Sequence, residues 1–224
     1  MRIPYRTDHD TLDFEDITKK NPNDLFLEWF KHACDSEVLE PNAMVLATST
    51  KSGIPSARYV LLKNLDDKGF TFFTNMHSRK GNELSENPFA SLVFYWEPLR
   101  RQVRIEGTVS SLSEDENEQY FNSRPKDSRI SACVSQQSQP VPNRNFLIQQ
   151  YDQLQAKYVD STSVPRPAHW GGYTVKPNRV EFWQGQTNRL HDRFVFRKKQ
   201  EDENIDNVLL HQGDDDWVFE RLAP

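Results

Sequence analysis

Between residues 43 and 112 the chain carries five strand-like runs, separated mostly by gaps that hold little more than a turn. Ala43–Ser49 is apolar, and Lys51-Ser52-Gly53 then turns the chain. Ser56–Lys63 is rich in Val and Leu, and Asp66-Asp67-Lys68-Gly69 turns it again. Gly69–Asn75 carries Phe70, Phe72 and Phe73, and Phe89–Trp96 is equally aromatic. Val103–Leu112 alternates Val103, Ile105 and Val109 with Arg104, Glu106 and Ser110. Five strands so closely spaced read as an antiparallel barrel or sandwich.

Helices flank this β unit. Asn23–Ala33 places Leu25, Phe26, Trp29 and Phe30 on one side, with start signals in Asn21-Pro22-Asn23. Ser78–Glu86 is short, Ser113–Phe121 opens with the capping box Ser113-x-x-Glu116, and Asn143–Tyr158 is longer. Strands are expected again at Arg179–Trp183, Arg189–Arg197 and Trp217–Leu222. Val164-Pro165-Arg166-Pro167 reads as a rigid linker, and the acidic run 202–216 as a mobile hairpin loop. Residues 1–22 are polar and aperiodic and read as a flexible arm, leaving 23–224 as one mainly β domain.

Apolar residues make up 36% of the chain, which predicts a thin core, partly offset by 12% aromatics. That balance suits a subunit that completes its burial against a partner, and equally a soluble protein with long charged loops. A net charge of −5 argues against a nucleic-acid surface. Cations are nevertheless crowded at Arg79-Lys80, Arg100-Arg101-x-x-Arg104 and Arg189-x-x-x-Arg193, which favours a small anion in a pocket. Cys34 and Cys133 show neither disulfide nor metal spacing, and no run is apolar and long enough for a signal or a membrane span. A cytoplasmic protein without a metal is the expectation.

Five segments carry chemistry. In Arg58-Tyr59-Val60-Leu61-Leu62-Lys63 a cation stands at each end of an apolar strand, suited to two separate anions or simply to two surface sites. Asn75–Gly81 puts Arg79 and Lys80 in a first helical turn, against the helix dipole, which an anion would relieve. Gln102 shares a strand face with Arg104 and Glu106 and offers a donor and an acceptor to a heterocycle edge. Tyr120 and Arg124 are one helical turn apart with Ser128 beyond, a second phosphate cradle or an ordinary helix C-terminus. In Glu181–Arg193, an extended chain would project Arg189, His191 and Arg193 to one side near Trp183, and Leu190 and Asp192 to the other. No Walker loop, GxGxxG, HExxH or GxSxG is present, so several anion sites without a nucleophile point to cofactor chemistry.

Together these segments resemble the pyridoxine-5′-phosphate oxidase family along nearly the whole chain. The matching motifs are RYVLLK at 58–63, FFTN at 72–75, SRKG at 78–81, RQVRIEG at 101–107, YFNSRP at 120–125, QS at 137–138 and FWQGQTNRLHDR at 182–193. The resemblance implies an antiparallel, Greek-key-like split β-barrel that binds FMN at the interface of a homodimer. It assigns FMN contacts to Arg58, Tyr59, Val60, Leu61, Lys63, Phe73, Thr74, Arg79, Lys80, Gln102, Gln137, Ser138, Trp183 and Arg193. It gives the substrate phosphate to Lys63, Tyr120, Arg124 and Ser128, the substrate ring to Arg189, Leu190 and His191, and a lid to Arg2 and Tyr5. Arg189 and His191 are then the catalytic candidates. The implied reaction oxidises pyridoxine or pyridoxamine 5′-phosphate to pyridoxal 5′-phosphate, with dioxygen reduced to hydrogen peroxide and ammonia released from the amine. Arg129 and Ser131 stand where the family usually has Gln and Gly. The competing readings are a split-barrel flavin reductase, which would not need the Tyr120-Arg124-Ser128 cradle, and a non-catalytic pyridoxal-phosphate carrier.

Overall fold

The computed structural model describes residues 11–161 and 163–224. Their strands are β1 (Ala43–Ser49), β2 (Pro55–Leu61), β3 (Asn64–Asp66), β4 (Gly69–Asn75), β5 (Phe89–Trp96), β6 (Arg101–Ser111), β7 (Trp170–Gln184), β8 (Asp192–Lys198), β9 (Leu210–Gln212) and β10 (Trp217–Arg221). All belong to one antiparallel sheet with the path β2-β1-β5-β6-β7-β8-β10-β9, and β4 pairs with β7 on a branch that carries β3. The branch arises inside β7. Residues 170–175 pair with β4, residues 179–184 pair with β8, and β6 runs beside both halves. A register shift at Glu106/Gly107 marks the change of partner and bends the ladder there. The strands β2-β1-β5-β6-β7-β4 curl until the Lys63 N–H donates to the Thr71 carbonyl at 2.9 Å, without closing the ladder. This is a split barrel.

Helix α1 (Pro22–Cys34) packs against the barrel. Asn21 caps it by accepting from Asn23 N–H at 2.9 Å, and proline stands at its first position, where no intrahelical donor is lost. Its buried face is Leu25, Phe26, Trp29 and Ala33. Phe26 meets Phe70 and Phe94 with ring centroids 4.9 Å apart, and Trp29 meets the edge of Phe182 at 5.2 Å. Aromatics thus supply the bulk that the modest apolar content does not, and Phe26→Ala would cost about 3–5 kcal/mol.

Several segments differ from their sequence reading. Lys126–Val134 is a helix, where a turn was expected after Pro125; we number the helices α2 (Arg79–Glu86), α3 (Glu114–Ser123), α4 (Lys126–Val134) and α5 (Arg144–Lys157). β7 begins nine residues before the expected Arg179, through Gly171 and Gly172. A Cβ on Gly172 would fall 2.6 Å from Leu112 Cδ1, so close packing, not flexibility, puts glycine in this strand. Within the supposed arm, Leu12 and Ile17 are buried in the core, and Phe14 meets the edge of Phe194 at 5.0 Å. Residues 1–10, including Arg2 and Tyr5, lie outside the described residues. The acidic run 202–216 contains β9, and Asp206 Oδ1 accepts the N–H groups of Val208, Leu209 and Leu210. Among the described residues no helix is long and apolar enough to cross a membrane.

Candidate active site

A cleft of about 730 Å³ opens where the end of β2, the end of β4, α2 and the α3–α4 junction converge. Its lining includes Tyr59, Val60, Leu61, Lys63, Phe73, Thr74, Lys80, Tyr120, Arg124, Ser128 and Gln137, all expected as site residues. Part of one wall is aromatic: Phe73 stacks on Tyr120 at 3.9 Å and on Trp170 at 5.2 Å. The Arg124 guanidinium lies over Trp170, 4.7 Å from the ring centroid. Arg124 is the C-cap of α3 with an extended backbone, not a residue of its last turn, so Tyr120 and Arg124 meet at the cleft across the helix end. Its Nη1 is buried without a hydrogen-bond partner, and burial pushes the pKa of the guanidinium down. A buried donor of this kind costs free energy until an acceptor arrives, and an anion in the cleft would supply one. Ser128 comes from the first turn of α4, beside the same opening.

Lys80 lines the cleft from α2, and Arg58 and Arg79 gather beside the same helix without lining the cleft. Ser78 caps this helix by accepting from Gly81 N–H, and Arg79 N–H donates to Ser138 Oγ at 3.2 Å. Two N–H groups of the first turn are therefore held by serine hydroxyls. Lys80 is buried, and its Nζ donates to Gln137 Oε1 at 2.7 Å and to Thr74 and Ser78 hydroxyls at 3.3 Å. Burial, then the nearby Arg58 charge, brings the ammonium down to about 8 against the opposing pull of Glu83. Arg58 and Arg79 both turn to Glu83, at 3.4 and 2.9 Å. The Thr48 and Ser56 hydroxyls donate to the same carboxylate, each at 2.5 Å. Burial would raise the Glu83 pKa, but Ser56, Thr48, Arg79 and Arg58 outweigh it and hold the carboxyl at about 2.

Arg58, Arg79 and Ser138 do not line this cleft, and neither do Gln102, Trp183, Arg193, Arg189, Leu190 and His191. Gln102, Trp183 and Arg193 stand in one row across β6, β7 and β8. Arg193 donates to Glu181 at 3.0 Å, and Arg104 reaches the same buried carboxylate at 2.7 Å. Residues 185–191 form a turn, so the strand expected from Arg189 is delayed by three residues. Arg189 has φ 69°, Leu190 N–H donates to Asn188 Oδ1, and β8 starts only at Asp192. The expected same-side projection of Arg189, His191 and Arg193 by strand alternation therefore does not apply. His191 lies 4.8 Å from Trp183, and its Nδ1 accepts from Gln186 N–H at 2.9 Å. In the neutral ring the proton then sits on Nε2. Burial, then Arg189, lowers the His191 pKa, while Asp192 opposes them.

Sequence reasoning missed Asn75 and Trp170, which also line the cleft, and the carboxylates Glu83 and Glu181, which hold Arg58 with Arg79 and Arg193 with Arg104. Trp170 stood directly before two glycines and signalled nothing by periodicity. Among the described residues no cluster of three or more His, Cys, Asp or Glu is placed to hold a metal.

An open antiparallel barrel whose cleft gathers cations at two stations defines a split-barrel protein that receives an anionic small molecule. Comparison with known proteins makes the class specific. Residues 30–158 match the family described as pyridoxamine 5′-phosphate oxidase, and residues 170–224 match the pyridoxine 5′-phosphate oxidase C-terminal dimerisation region. The chain is 51% identical to the pyridoxine-5′-phosphate oxidase of Bos taurus, over all of this chain and 86% of the relative. It is 50% identical to the pyridoxine/pyridoxamine 5′-phosphate oxidase of Salinibacter ruber, over 93% and 92% of the two chains. The crystal structure of PhzG from Burkholderia lata, in complex with tetrahydrophenazine-1-carboxylic acid, superposes with a TM-score of 0.84 at 31% identity, over 97% of this chain and all of that one. The chain belongs to the pyridoxine/pyridoxamine 5′-phosphate oxidase family and carries its C-terminal dimerisation region.

Proposed function

We propose that this chain oxidises the 4′ carbon of pyridoxine 5′-phosphate and pyridoxamine 5′-phosphate to the aldehyde of pyridoxal 5′-phosphate. FMN is its cofactor and dioxygen the final acceptor, giving hydrogen peroxide and, from the amine, ammonia. FMN supplies the hydride acceptor and the route of electrons to dioxygen. The observation that carries the reading is the unpartnered Arg124 Nη1, buried beside Tyr120, Ser128 and Lys63 in a cleft that also holds Lys80. Two phosphate stations in one cleft suit a phosphorylated cofactor and a phosphorylated substrate lying together.

Arg58, Arg79, Lys80 and Ser138 hold the FMN phosphate in this reading, with Val60, Leu61, Thr74 and Gln137 along its length. Tyr59, Phe73 and Lys63 complete that side. Lys80 and its three oxygen partners fit the role, because an arriving phosphate relieves the cost of a buried ammonium. Lys63, Tyr120, Arg124 and Ser128 grip the substrate phosphate. Gln102, Trp183, Arg193, Arg189, Leu190 and His191 come to the cleft from a second copy, so that FMN lies at the interface of a homodimer. The dimerisation-region match over 170–224 supports this, because all but Gln102 fall within it. Arg189 covers the substrate ring, and His191 offers it the Nε2 proton as a hydrogen bond, while its basic Nδ1 is occupied by the Gln186 N–H. Fixing two rings at reacting distance supplies up to about 7–11 kcal/mol in favourable cases.

The test is to purify the protein, record its visible spectrum, and add pyridoxine 5′-phosphate in air while following aldehyde and oxygen. Yellow protein that consumes oxygen and forms the aldehyde bears out the oxidase. Yellow but inert protein points to a reductase or a carrier, and protein that stays colourless and inert with added FMN overturns the flavin assignment.

A further inference from the structure

The turn that carries Arg189 and His191 is tied to a buried carboxylate that takes no direct part in the cleft. Asp192 is 5% exposed, and three donors from distant parts of the chain meet on it. Its Oδ2 accepts from Leu12 N–H at 3.0 Å and from Gln186 Nε2 at 2.7 Å, and its Oδ1 accepts from Arg221 Nη2. Arg221 also donates to the Leu12 carbonyl at 3.2 Å and to Asp13 Oδ1 at 3.0 Å, and lies over the Phe194 ring. The carboxylate thus joins the segment before α1, the end of β10 and the 185–191 turn.

Gln186 carries this anchorage into the turn. Its side chain is fastened to Asp192, while its backbone N–H donates to His191 Nδ1 at 2.9 Å and its carbonyl accepts from Arg189 N–H at 3.2 Å. One residue therefore sets which nitrogen of His191 bears the proton and where the Arg189 backbone lies. Arg189 is held at φ 69°, which costs a non-glycine residue about 1 kcal/mol or more and persists only where the surroundings over-determine it. An isolated turn would relax from that conformation; this one is pinned from below.

We propose that Asp192, acting through Gln186 and clamped by Arg221, is a positioning residue that fixes the His191 tautomer and the placement of Arg189. This rests on the reading of Arg189 and His191 as the groups that meet the substrate ring. The mechanism predicts a specific pattern of loss. The Lys80 station and the Tyr120-Arg124-Ser128 cradle lie on other elements, and Arg193 beside Asp192 keeps its own clamp on Glu181, so binding of cofactor and of substrate phosphate stays intact. Turnover falls because the reacting carbon and the flavin lose their alignment, and a misplacement on the order of 1 Å costs up to about 100-fold.

The experiment compares Asp192→Asn, Gln186→Ala, Arg189→Ala and His191→Ala as FMN-reconstituted protein, measuring kcat, KM and flavin content. Histidine ring 15N shifts are recorded for Asp192→Asn and Gln186→Ala, with His191→Ala used to assign the His191 signal. Gln186→Ala leaves the Asp192–Arg221 pair and the Leu12 contact in place, so it reports on the turn even if Asp192→Asn folds poorly. The expected result is a fall in kcat of about 10- to 100-fold for Gln186→Ala, and for Asp192→Asn where it folds, with KM and flavin content within about twofold. The His191 ring signal should change from one Nε2-protonated form to a mixture. Unchanged kcat and an unchanged ring signal in Gln186→Ala, with Arg189→Ala and His191→Ala both impaired, would overturn the positioning role alone. Unimpaired Arg189→Ala and His191→Ala would instead overturn the reading of the site on which it rests.

Discussion

Replacing Glu83 by alanine removes the acceptor on which Thr48, Ser56, Arg58 and Arg79 converge, and the contacts allow the cost to be apportioned. The Glu83 side chain is 5% exposed, that of Arg58 21% and that of Arg79 60%. The Arg79 pair is an exposed i,i+4 pair, so its loss costs about 0.3–0.5 kcal/mol. The two hydroxyls are 3.5 Å apart and can turn to each other, which limits their loss to about 1 kcal/mol together. Arg58 is left half-sequestered with only hydroxyl and carbonyl acceptors, a loss of about 2 kcal/mol. The expected destabilisation is about 3 kcal/mol, read as a shift of the urea midpoint at fixed protein concentration, since a dimer's stability depends on it.

Glu83→Gln keeps the shape and one acceptor oxygen, so it should lose about half as much. It also separates charge from packing through pH. The folded carboxyl is held at about 2 and the free one lies at 4.5, so its contribution is complete above pH 4.5 and is lost as pH falls from there towards 2. The acid limb of the wild-type stability curve should therefore be steeper than that of Glu83→Gln across this window. A loss below 1 kcal/mol in Glu83→Ala, or identical acid limbs, would refute the account of Glu83 as the clamp of Arg58 and Arg79.

Three further outcomes follow from the same geometry. Lys80 sits at about 8 in the fold against 10.5 free, so the unfolded chain binds more protons between those values and the ligand-free fold gains stability as pH rises through them. A phosphate beside Lys80 restores its proton, so calorimetry of FMN binding at pH 8 should show proton uptake as a dependence on buffer ionisation enthalpy, absent in Lys80→Met. Gly81→Ala would place a Cβ 2.0 Å from the Met76 carbonyl oxygen, where only backbone can give way. A loss of about 2 kcal/mol or more, roughly 4–8 °C in Tm, is expected by thermal unfolding, and an unchanged Tm would contradict the close approach. Arg124→Met keeps the packing over Trp170 and removes the charge. KM for the phosphorylated substrate should rise about 10- to 100-fold with flavin content unchanged, and an unchanged KM would remove Arg124 from the phosphate station.

The barrel was legible because its information is local. Alternation in Val103–Leu112, aromatics in Gly69–Asn75 and turn residues at 51–53 and 66–69 act over a few positions, and the strands stand within two residues of their expected ends. The first half of β7 was not legible, because Gly171 and Gly172 lower strand propensity for a reason that lies in Met76, Asn117, Leu112 and Phe73, far away in sequence. Helix α3 ends just before Pro125, and the same proline stands at the N-cap of α4, where a missing N–H costs nothing; the second helix gave no signal of its own. Residues 189–191 were misread because alternation presumes a strand, whereas Gln186, Asn188 and His191 close the backbone on itself and keep the chain in a turn up to Asp192. The carboxylate clamps were invisible for a deeper reason. Glu83 reaches back 25 residues to Arg58, Glu181 reaches 77 to Arg104, and Asp192 reaches 180 to Leu12. No local pattern carries such a pairing.

Those clamps sort the cations by the work they can do. Arg58 and Arg79 share Glu83, and Arg193 shares Glu181 with Arg104, so each guanidinium is already oriented and largely neutralised before a ligand arrives. Lys63, Lys80 and Arg124 have no carboxylate within ion-pair distance among the described residues. They are the charges that an incoming phosphate can compensate. A clamped arginine contributes shape, because its planar fork is fixed and loses little entropy on binding. An unclamped one contributes Coulomb energy, and Arg124 and Lys80, both desolvated by burial, contribute more than exposed cations would. In the proposed site, Lys80 provides that unmet charge at the cofactor phosphate and Arg124 with Lys63 at the substrate phosphate. A chain with a net charge of −5 can therefore hold two phosphates side by side in this reading: Glu83 and Glu181 fix the nearby arginines, and Lys63, Lys80 and Arg124 in the cleft are left to meet the anions.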